Sequence, residues 1–529
     1  MIQINGSQLI AGQESREGAK TFSSVNPRTR QVGELSFSEA TRSEIGRAVA
    51  FAQSAFKETR NYPPMKLAEF LDCVAEEIEA LGDQLLQVAD EETGLGLPRL
   101  TGERGRTTGQ LRKFGALLRE GSYVEAIIDS AQPDRQPLPR QAIQRMLIPI
   151  GPVAVFSASN FPFAFAVAGG DTASAFAAGC PVVVKGHPSH PRTSELFGRA
   201  INRAVAAMKF PAGFFSLIQG QRVDVGQALV THPGITAVGF TGSLRAGRAI
   251  YNAAAGRPNP IPVYAEMGSV NPVVILPGAI AGQNEELAAQ LVASLTLGSG
   301  QFCTNPGLIM VLESPETETF IADVTAKMAA AQPGVLLNAQ IEQGVDLAVN
   351  RTLENRSVSL LTGGEKVEGA PVCYANTVMQ TTAAAFLADP EMQEEHFGPV
   401  TLFVVANSKD ELLQCVEGLD GNLTASVHAA SSELELAEIL LDQLKEKAGR
   451  LILNGFPTGV EVVYAMQHGG PFPATTAPGT TSVGMTAIKR FMRPVAFQGI
   501  PDHLLPPALQ KNNPLGIWRI VDEQYSNAQ

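Results

Sequence analysis

The chain has 529 residues, and 40 Lys and Arg against 52 Asp and Glu give it a net charge of −12. This acidic balance argues against a nucleic-acid-binding protein, because contacts with phosphates need a surplus of Lys and Arg. A hydrophobic content of 44% with 17% charged residues fits a globular chain of two large or about three ordinary domains and excludes extensive disorder.

The first 120 residues predict a small strand pair followed by helices. Apolar residues at helical spacing favour helices over residues 40–58, 64–90 and about 102–120. Residues 132–140 are polar and rich in proline, which indicates an excursion of the chain rather than core.

From residue 151 short apolar runs alternate with helical patterns. The predicted strands cover residues 151–158, 182–185, 215–218, 235–240 and 263–267. The predicted helices between them cover residues 163–178, 194–209, 223–230 and 243–255. This alternation predicts a doubly wound parallel sheet that binds its ligand at the carboxyl ends of the strands. A second α/β unit is expected over 270–465, with strands at 273–276 and 308–312, and the proline-rich last 50 residues predict extended chain.

Neither cysteine spacing nor apolar stretches indicate secretion or a membrane. The five cysteines include no CxxC pair, so neither a disulfide framework nor a zinc ribbon is expected, and a reducing cytoplasm fits best. The N-terminus lacks the basic and apolar regions of a signal peptide. The uncharged stretches 146–170 and 287–312 contain proline and polar residues that a lipid-facing helix tolerates poorly. No membrane span is expected.

No GxGxxG dinucleotide motif follows a predicted strand. The turn from Gly239 through Gly242 to Ser243 instead stands between a strand and a helix. A glycine turn before a helix can present backbone N–H groups to an anion. The same residues also fit an ordinary turn in which Ser243 caps the helix, so the local pattern leaves both interpretations open.

Two residues are candidates for covalent chemistry. Cys303 lies in a loop rich in Gly, Asn and Pro, which is typical of a reactive thiol rather than of a cysteine in an apolar core. Glu266 closes an apolar strand, where it is either a surface carboxylate or a buried general base whose pKa burial raises.

Six motifs together resemble the aldehyde dehydrogenase superfamily over nearly the whole chain. In order they are Asn160-Phe-Pro, Lys185, Phe240-Thr-Gly-Ser243, Glu266-Met-Gly, Gly300-Gln-Phe-Cys303-Thr and Glu394-Glu395-His-Phe397-Gly-Pro399. Three further segments resemble its 2-oxoglutarate semialdehyde branch, and a fatty-aldehyde branch shares much of them. They begin at Ser157, Ala168 and Asn454.

This resemblance implies an α/β fold with two doubly wound parallel-sheet domains and a small β extension for oligomerisation. The dinucleotide-binding domain is expected over 1–131 and 151–269, and the catalytic domain over 270–465. Residues 132–150 and 480–529 match the segments through which family members form homodimers or homotetramers.

The resemblance also implies a mechanism and a cofactor, NAD or NADP. Cys303 attacks a small-molecule aldehyde, Asn160 stabilises the oxyanion, and Glu266 activates the water that hydrolyses the thioester. For the cofactor, Lys185 is expected at the adenine ribose, Gly242 and Ser243 at the pyrophosphate, and Glu395 with Phe397 at the nicotinamide. Two rivals remain: a CoA-acylating enzyme, against which Glu266 counts, and a non-catalytic protein of the same fold.

Departures from the family pattern bear on the cofactor. Pro188 stands where many members place the carboxylate that accepts the ribose 2′-hydroxyl, so nothing there repels a 2′-phosphate. Arg222 follows a predicted strand at a position suited to a phosphate, although a surface arginine at a helix start explains it equally well. Use of NADP at least comparable with NAD is therefore expected. His187 and His190 flank prolines, and no metal site is expected.

The most specific expectation concerns the substrate. By resemblance the helix over 102–120 lines the aldehyde tunnel, with Arg106 and Gln110 one turn apart on a shared face and Phe161 beside them. Arg106 would hold the carboxylate of 2-oxoglutarate semialdehyde, with Arg104 as the second choice. A fatty or medium-chain aldehyde is the alternative, and in that case both arginines are surface residues.

Overall fold

The structure is a computed structural model that describes residues 2–369 and 371–528. Over these residues the strands form two seven-stranded sheets, a five-stranded sheet and a two-stranded ribbon of Thr21–Phe22 with Phe37–Ser38. Apolar clusters pack on both faces of each seven-stranded sheet, and most of the parallel strands are apolar and buried. Such runs are expected where a parallel sheet is covered on both sides. The predicted α/β fold class is confirmed.

The first large sheet combines five parallel strands with an antiparallel edge pair. In spatial order its strands are Val263–Glu266, Ala237–Thr241, Val153–Phe156, Val182–Lys185, Phe215–Ile218, Gln8–Ile10 and Gln13–Ser15. After Val153–Phe156 the next two strands of the chain are added on one side of it. The strand Ala237–Thr241 is then added on the other side. The carboxyl ends of the strands at this reversal form the crevice in which doubly wound sheets bind ligands.

The second large sheet is parallel except at one edge. In spatial order its strands are Ser359–Thr362, Thr377–Thr382, Val400–Ala406, Leu308–Leu312, Val273–Ile275, Asn422–His428 and Ala448–Leu453. Only Ser359–Thr362 runs antiparallel to its neighbour. All its strands fall between residues 273 and 453, within the stretch 270–465 that was expected to form the catalytic domain.

The five-stranded sheet brings together segments that are far apart in the sequence. In spatial order its strands are Met492–Gln498, Ile143–Pro149, Ile127–Asp129, Arg519–Val521 and Gln524–Ser526. It therefore contains chain from both 132–150 and 480–529, the segments expected to serve oligomerisation.

The α-helices agree with the sequence pattern in order more closely than in number or ends, and the single helix expected over 64–90 is wrong, because the chain forms two helices there, Pro64–Glu79 and Gly82–Thr93. They are Arg42–Thr59, Pro64–Glu79, Gly82–Thr93, Leu97–Glu120, Gly170–Ala177, Pro191–Ala207, Val223–Thr231, Leu244–Ala255, Pro277–Ile280, Asn284–Thr296, Pro315–Ala330, Ala339–Glu354, Ala383–Ala388, Lys409–Glu417 and Leu434–Leu444. Short 3-10 helices are Ser122–Val124, Ala212–Phe214, Leu297–Gly300, Pro390–Gln393, Ser431–Glu433, Met485–Phe491, Asp502–Leu504 and Pro507–Leu509. Among the described residues, no helix is both long and apolar enough to cross a bilayer.

The prediction of a helix over residues 163–178 is wrong for the first half of that range. Residues 162–169 form turns, and the helix begins only at Gly170. The buried carboxylate of Glu103 accepts hydrogen bonds from the backbone N–H groups of Phe163 and Ala164, both at 2.9 Å. Because a side chain from a distant helix binds these N–H groups, the apolar spacing alone could not indicate where the helix starts.

Candidate active site

A glycine-dependent turn presents Cys303 between the two large sheets. After the helix Asn284–Thr296, Gly298, Ser299 and Gly300 all adopt positive φ, with values of 57°, 58° and 68°. A Cβ on Gly300 would collide with the carbonyl oxygen of Gly398, so only glycine fits this close approach. The turn thereby joins the Cys303 loop to the segment that carries Glu395 and Phe397.

Cys303 lies against two other side chains that can take part in proton transfer. His468 Nε2 is 3.4 Å from Cys303 Sγ and 2.8 Å from Glu266 Oε1. Glu266 ends the strand Val263–Glu266, and its carboxylate and the His468 ring are buried, whereas Cys303 keeps some exposure. The predicted pair of Cys303 and Glu266 is therefore extended by a histidine that the sequence analysis missed.

A short polar segment fixes this histidine and the carboxylate. The Ser482 hydroxyl donates to Glu266 Oε2, and it also lies 3.1 Å from the His468 carbonyl oxygen. The His468 backbone N–H donates to Thr481 Oγ1 at 2.8 Å. Residues 454–484 contain neither a strand nor a helix, so no periodic pattern could have shown that His468 reaches Cys303.

The pKa values of the two reacting groups move in opposite directions. Burial raises the pKa of Glu266, but the positive charge that His468 can carry and hydrogen bonds from His468, Ser482 and Cys303 outweigh burial and lower it overall. The upward shift expected from the sequence is therefore wrong, because the pocket around this carboxylate is polar. Burial and the negative charge of Glu266 hold the pKa of Cys303 well above its ordinary value. The resting pair is a thiol beside a carboxylate.

Asn160 approaches the thiol from the first sheet. It follows the strand Val153–Phe156, is buried, and donates one amide N–H to the carbonyl oxygen of Gln301 at 3.0 Å. An amide nitrogen has two N–H donors, so the second remains for an oxyanion on the substrate. Asn271 Nδ2 fixes the nucleophile loop from the other side through the Cys303 carbonyl oxygen, at 2.8 Å.

One face of the helix Leu97–Glu120 lines this pocket with charged side chains. Arg106 is largely buried, and one of its guanidinium nitrogens, Nη1, has no hydrogen-bond partner among the described residues. Its Nη2 donates to the Val460 carbonyl oxygen at 3.3 Å, and the guanidinium lies over the Phe165 ring at 5.1 Å. Burial lowers the pKa of Arg106, whereas the charges of Glu103, Cys303 and Glu266 raise it. Arg106 thus faces the reacting groups.

The same helix contributes residues that the sequence analysis did not select. Arg99 donates to the Asn160 carbonyl oxygen at 2.7 Å, and its guanidinium lies 4.9 Å from the rings of both Phe161 and Phe302. Phe161, a predicted substrate residue, is thereby placed beside the nucleophile loop. Arg99, Glu103 and Arg106 recur at helical spacing, a signal that would have found them once the helix was assigned.

The other two predicted positions on this helix lie on different sides. Gln110 is buried. A Cβ on Gly170 would lie 3.1 Å from its Nε2 and 3.3 Å from the Ser482 carbonyl oxygen, so Gln110 lies near the residue that binds Glu266. Arg104 instead donates to the carbonyl oxygen of Gly82 at 3.0 Å. It points towards a neighbouring helix, so it does not share the surroundings of Arg106.

A cleft of about 430 Å³ beside the nucleophile contains predicted cofactor residues from both sheets. Ser243 and Glu395 line it together with Gly268, Arg245 and Arg248. A Cβ on Gly268 would lie 2.6 Å from Glu395 Oε2, so glycine keeps the cleft open at this point. The start of the helix Leu244–Ala255 and two arginines suit a pyrophosphate. The residues present therefore fit a dinucleotide.

The predicted cofactor residues have distinct environments. The Ser243 hydroxyl accepts from the Ala246 backbone N–H at 3.3 Å and so caps its helix, as one of the two open interpretations proposed. Gly242 packs on Phe240, whose ring a Cβ would meet at 2.8 Å. Phe397 lines a small cavity with Glu395 and Gly300. Burial raises the pKa of Glu395 to about 7, whereas the adjacent Glu394 is exposed and pairs with Arg351 at 2.7 Å.

The two residues expected near the adenosine lie at neighbouring strand ends. Lys185 ends the strand Val182–Lys185, and burial lowers its pKa to about 8, although the charge of Glu39 opposes the shift. Arg222 is exposed, precedes the helix Val223–Thr231 and pairs with Asp224 at 2.6 Å. It lines a cleft of about 260 Å³ together with Glu39 and Lys20.

The histidine pair considered for a metal has structural partners. His190 is buried, and its Nε2 lies 3.0 Å from the Ala158 carbonyl oxygen. Its ring centroid is 5.5 Å from that of His187. The two histidines thus lie in the segment that directly follows the strand Val182–Lys185.

Known proteins resemble the chain over almost its whole length. The sequence pattern of the aldehyde dehydrogenase family matches residues 14–472. Alpha-ketoglutaric semialdehyde dehydrogenase 2 of Azospirillum brasilense is 47% identical over 523 residues, which cover 98% of this chain and 99% of that protein. The alpha-ketoglutaric semialdehyde dehydrogenase of Acinetobacter baylyi is 44% identical over 522 residues, with 99% of each chain covered.

Solved structures agree in fold. A point mutant of betaine aldehyde dehydrogenase from Staphylococcus aureus in complex with NAD+ superposes with a TM-score of 0.79. The superposition covers 93% of this chain and 96% of that one at 19% sequence identity. At that identity the likeness concerns the fold alone.

Proposed function

Because the chain belongs to the aldehyde dehydrogenase family, we propose that it oxidises 2-oxoglutarate semialdehyde to 2-oxoglutarate with NAD or NADP. The observation that carries this choice of substrate is the largely buried Arg106, whose Nη1 has no acceptor among the described residues and whose charge interacts with Cys303 and Glu266. A buried guanidinium nitrogen without an acceptor is costly unless an anion pairs with it. Two relatives of similar length are named for this semialdehyde, which has a carboxylate at the end remote from its aldehyde.

The proposed reaction begins at Cys303. Its sulfur attacks the aldehyde carbon and gives a thiohemiacetal, while the thiol proton passes to Glu266, directly or through His468 Nε2, which lies between the two groups. The ionised state of Glu266 supports this role, since its pKa is below the ordinary value. A carboxylate in contact with a thiol of raised pKa is the base that such a nucleophile needs.

The oxyanion of the thiohemiacetal meets donors that are already oriented. The Asn160 amide is fixed by the Gln301 carbonyl oxygen, and the Cys303 backbone N–H supplies the second donor. Preorganised donors of this kind stabilise the charge that develops in the transition state and need no rearrangement during the reaction.

Thioester hydrolysis completes the proposed cycle. Bound NAD or NADP supplies the hydride acceptor that turns the thiohemiacetal into a thioester. Glu266 first releases to solvent the proton that it took from the thiol. It then takes a proton from the attacking water and returns it to the sulfur of Cys303, which leaves as the thiol. Ser482 keeps one carboxylate oxygen of Glu266 fixed, which leaves the other oxygen and His468 to face the water.

The semialdehyde and a neutral aldehyde such as hexanal distinguish this proposal from the fatty-aldehyde alternative. We expect the wild type to favour the semialdehyde in kcat/KM. Replacing Arg106 with Ala should lower that value by roughly 10- to 100-fold, because a hydrogen bond to a charged group contributes about 1.5–3 kcal/mol. The value for hexanal should hardly change.

Arg104→Ala is the matched control, since Arg104 lies on the same helix but binds Gly82. It should leave both substrates unaffected. A wild type that prefers hexanal, or an Arg106→Ala enzyme that loses both activities equally, would contradict the proposed substrate.

Assembly and location complete the proposal. We infer a homodimer or homotetramer that forms through the five-stranded sheet, whose outer strand Met492–Gln498 has no partner on its far side among the described residues. Unpaired edge strands of this kind readily pair with another chain.

A cytoplasmic location is supported by five free cysteines, because oxidising compartments favour disulfides.

A further inference from the structure

The catalytic pocket contains a set of side chains that also suits a metal ion. Cys303 Sγ, His468 Nε2 and a Glu266 carboxylate oxygen all lie within 4.8 Å of one another. Thiolate, imidazole and carboxylate are the three ligand types that Zn²⁺ accepts in proteins. Three such ligands with a water in the fourth position is the arrangement of open, exchangeable zinc sites.

The distances are close to those of a tetrahedral site. Zn–S bonds near 2.3 Å and Zn–N or Zn–O bonds near 2.1 Å place ligand atoms roughly 3.4–3.6 Å apart. The Cys303 Sγ to His468 Nε2 separation is already 3.4 Å. Glu266 Oε1 lies 2.8 Å from the same nitrogen, so the carboxylate has to move away from the ring to reach the tetrahedral spacing. Its hydrogen bond from Ser482 is an outer contact of the kind that orients metal ligands.

Charge balance favours the ion in this buried place. Binding releases the thiol proton of Cys303 to solvent, so that the thiolate and the Glu266 carboxylate together carry two negative charges. These neutralise Zn²⁺, and His468 donates a neutral nitrogen lone pair. The ion and its three ligands then carry no net charge, which lowers the cost of placing the ion inside a protein, whereas the nearby Arg106 guanidinium opposes it.

We propose that Cys303, His468 and Glu266 form a binding site for Zn²⁺, which reversibly inhibits the enzyme by occupying the nucleophile and the base together. The ion and the aldehyde compete for Cys303, whereas the dinucleotide cleft stays open. This inference concerns the pocket itself and holds for any aldehyde that enters it. It is therefore separable from the choice of 2-oxoglutarate semialdehyde as substrate.

Co²⁺ provides a direct probe, because a cobalt–thiolate bond gives a charge-transfer absorption that does not depend on turnover. The full-length protein is first treated with a chelator and then titrated with Co²⁺ or Zn²⁺. We expect this absorption in the wild type and its displacement by Zn²⁺. Zn²⁺ inhibition should be competitive with the aldehyde and fully reversed by chelator.

Variants assign the ligands. Cys303→Ser should abolish the absorption, and His468→Gln and Glu266→Gln should each weaken metal affinity by more than about 100-fold, beyond the cost of losing an outer contact. Ser482→Ala removes only that outer contact and should cost roughly 10- to 100-fold. Cys73→Ser is the control, since this half-buried thiol lies on the helix Pro64–Glu79, outside the cluster; it should bind Co²⁺ as the wild type does.

Three results would overturn the site. One is the absence of thiolate absorption in the wild type at saturating Co²⁺, and another is its persistence in Cys303→Ser. The third is unchanged affinity in both His468→Gln and Glu266→Gln, which would reduce the site to a single exposed thiol.

Discussion

At the scale of single residues, the pocket places the thiol of Cys303 beside the buried carboxylate of Glu266 and the buried ring of His468. The thiol remains protonated because burial and Glu266 raise its pKa, while the partners of Glu266 keep that carboxylate ionised. Nucleophilic attack is therefore coupled to proton removal rather than to a permanent thiolate. Such a resting state protects the thiol, because the thiolate is the form that oxidants attack.

Replacing Glu266 with Gln tests which step needs the carboxylate. His468 remains next to the thiol, so we expect a burst of reduced cofactor of about one per active site. Steady-state turnover should then fall by roughly 10²- to 10⁴-fold, the usual contribution of a general base. Stopped-flow absorbance of the reduced cofactor measures both phases.

Cys303→Ala is the companion variant. It should bind the cofactor normally and yield neither burst nor acid. A Glu266→Gln enzyme with an unchanged steady-state rate would refute the general-base role, and one without a burst would show that the thiol itself depends on this carboxylate.

The candidate residues could be selected from the sequence where the signal was local. Cys303 in a polar loop and Glu266 at the end of an apolar strand stand out from their immediate neighbours. His468 does not, because it lies 165 positions after Cys303 in a segment without periodic structure. The downward pKa shift of Glu266 also depends on His468 and Ser482, so it could not follow from its strand alone.

At the scale of elements, the buried strands were predicted best. The strands Val182–Lys185, Phe215–Ile218 and Leu308–Leu312 agree with their apolar runs to the residue. Helix starts were less predictable, since they depend on which partner takes the first N–H groups. The long helix begins at Leu97 rather than near 102, and Arg99 escaped selection for that reason.

The element that follows the strand Phe215–Ile218 bears on cofactor choice. Arg222 at its start is exposed and close to Lys20, and Pro188 leaves no carboxylate at the usual ribose position. Glu39 and Asp224 line the same cleft and would oppose a second phosphate. The Glu39 carboxylate already faces the backbone N–H of Gln221 at 3.3 Å, whereas Asp224 would have to release Arg222. The balance supports a cofactor site that admits NADP.

We expect kcat/KM with NADP to be at least comparable with that for NAD. Arg222→Ala should lower the NADP value by on the order of tenfold, since one charged hydrogen bond is lost, and leave the NAD value unchanged. Arg47→Ala is the control, because Arg47 lies on the helix Arg42–Thr59 and already pairs with Glu17. A preference of the wild type for NAD above about tenfold, roughly 1.4 kcal/mol, would rule out this expectation.

At the scale of the whole molecule, the apolar surface is uneven. Four large side chains on the segments expected to serve oligomerisation are at least half exposed: Leu138, Leu504, Trp518 and Tyr525. Tyr525 lies in the five-stranded sheet and Trp518 directly precedes its strand Arg519–Val521, whereas Leu138 and Leu504 lie outside its strands. The outer strand of this sheet is unpaired on one side among the described residues. Apolar surface beside an open strand edge is typical of a protein–protein interface, so the chain alone presents an incomplete surface.

Sedimentation velocity tests this view of the assembly. We expect a dimer or tetramer of the 56.0 kDa chain at micromolar concentration, because pairing buries both the strand edge and these side chains. The double variant Leu504→Glu with Trp518→Glu should shift the population towards monomer, since each charge would have to be desolvated in the interface. Met65→Glu is the matched control: Met65 is equally half-exposed but lies on the helix Pro64–Glu79, and this variant should keep the wild-type mass. A monomeric wild type would refute the assembly, and a double variant that remains fully associated would place the interface elsewhere.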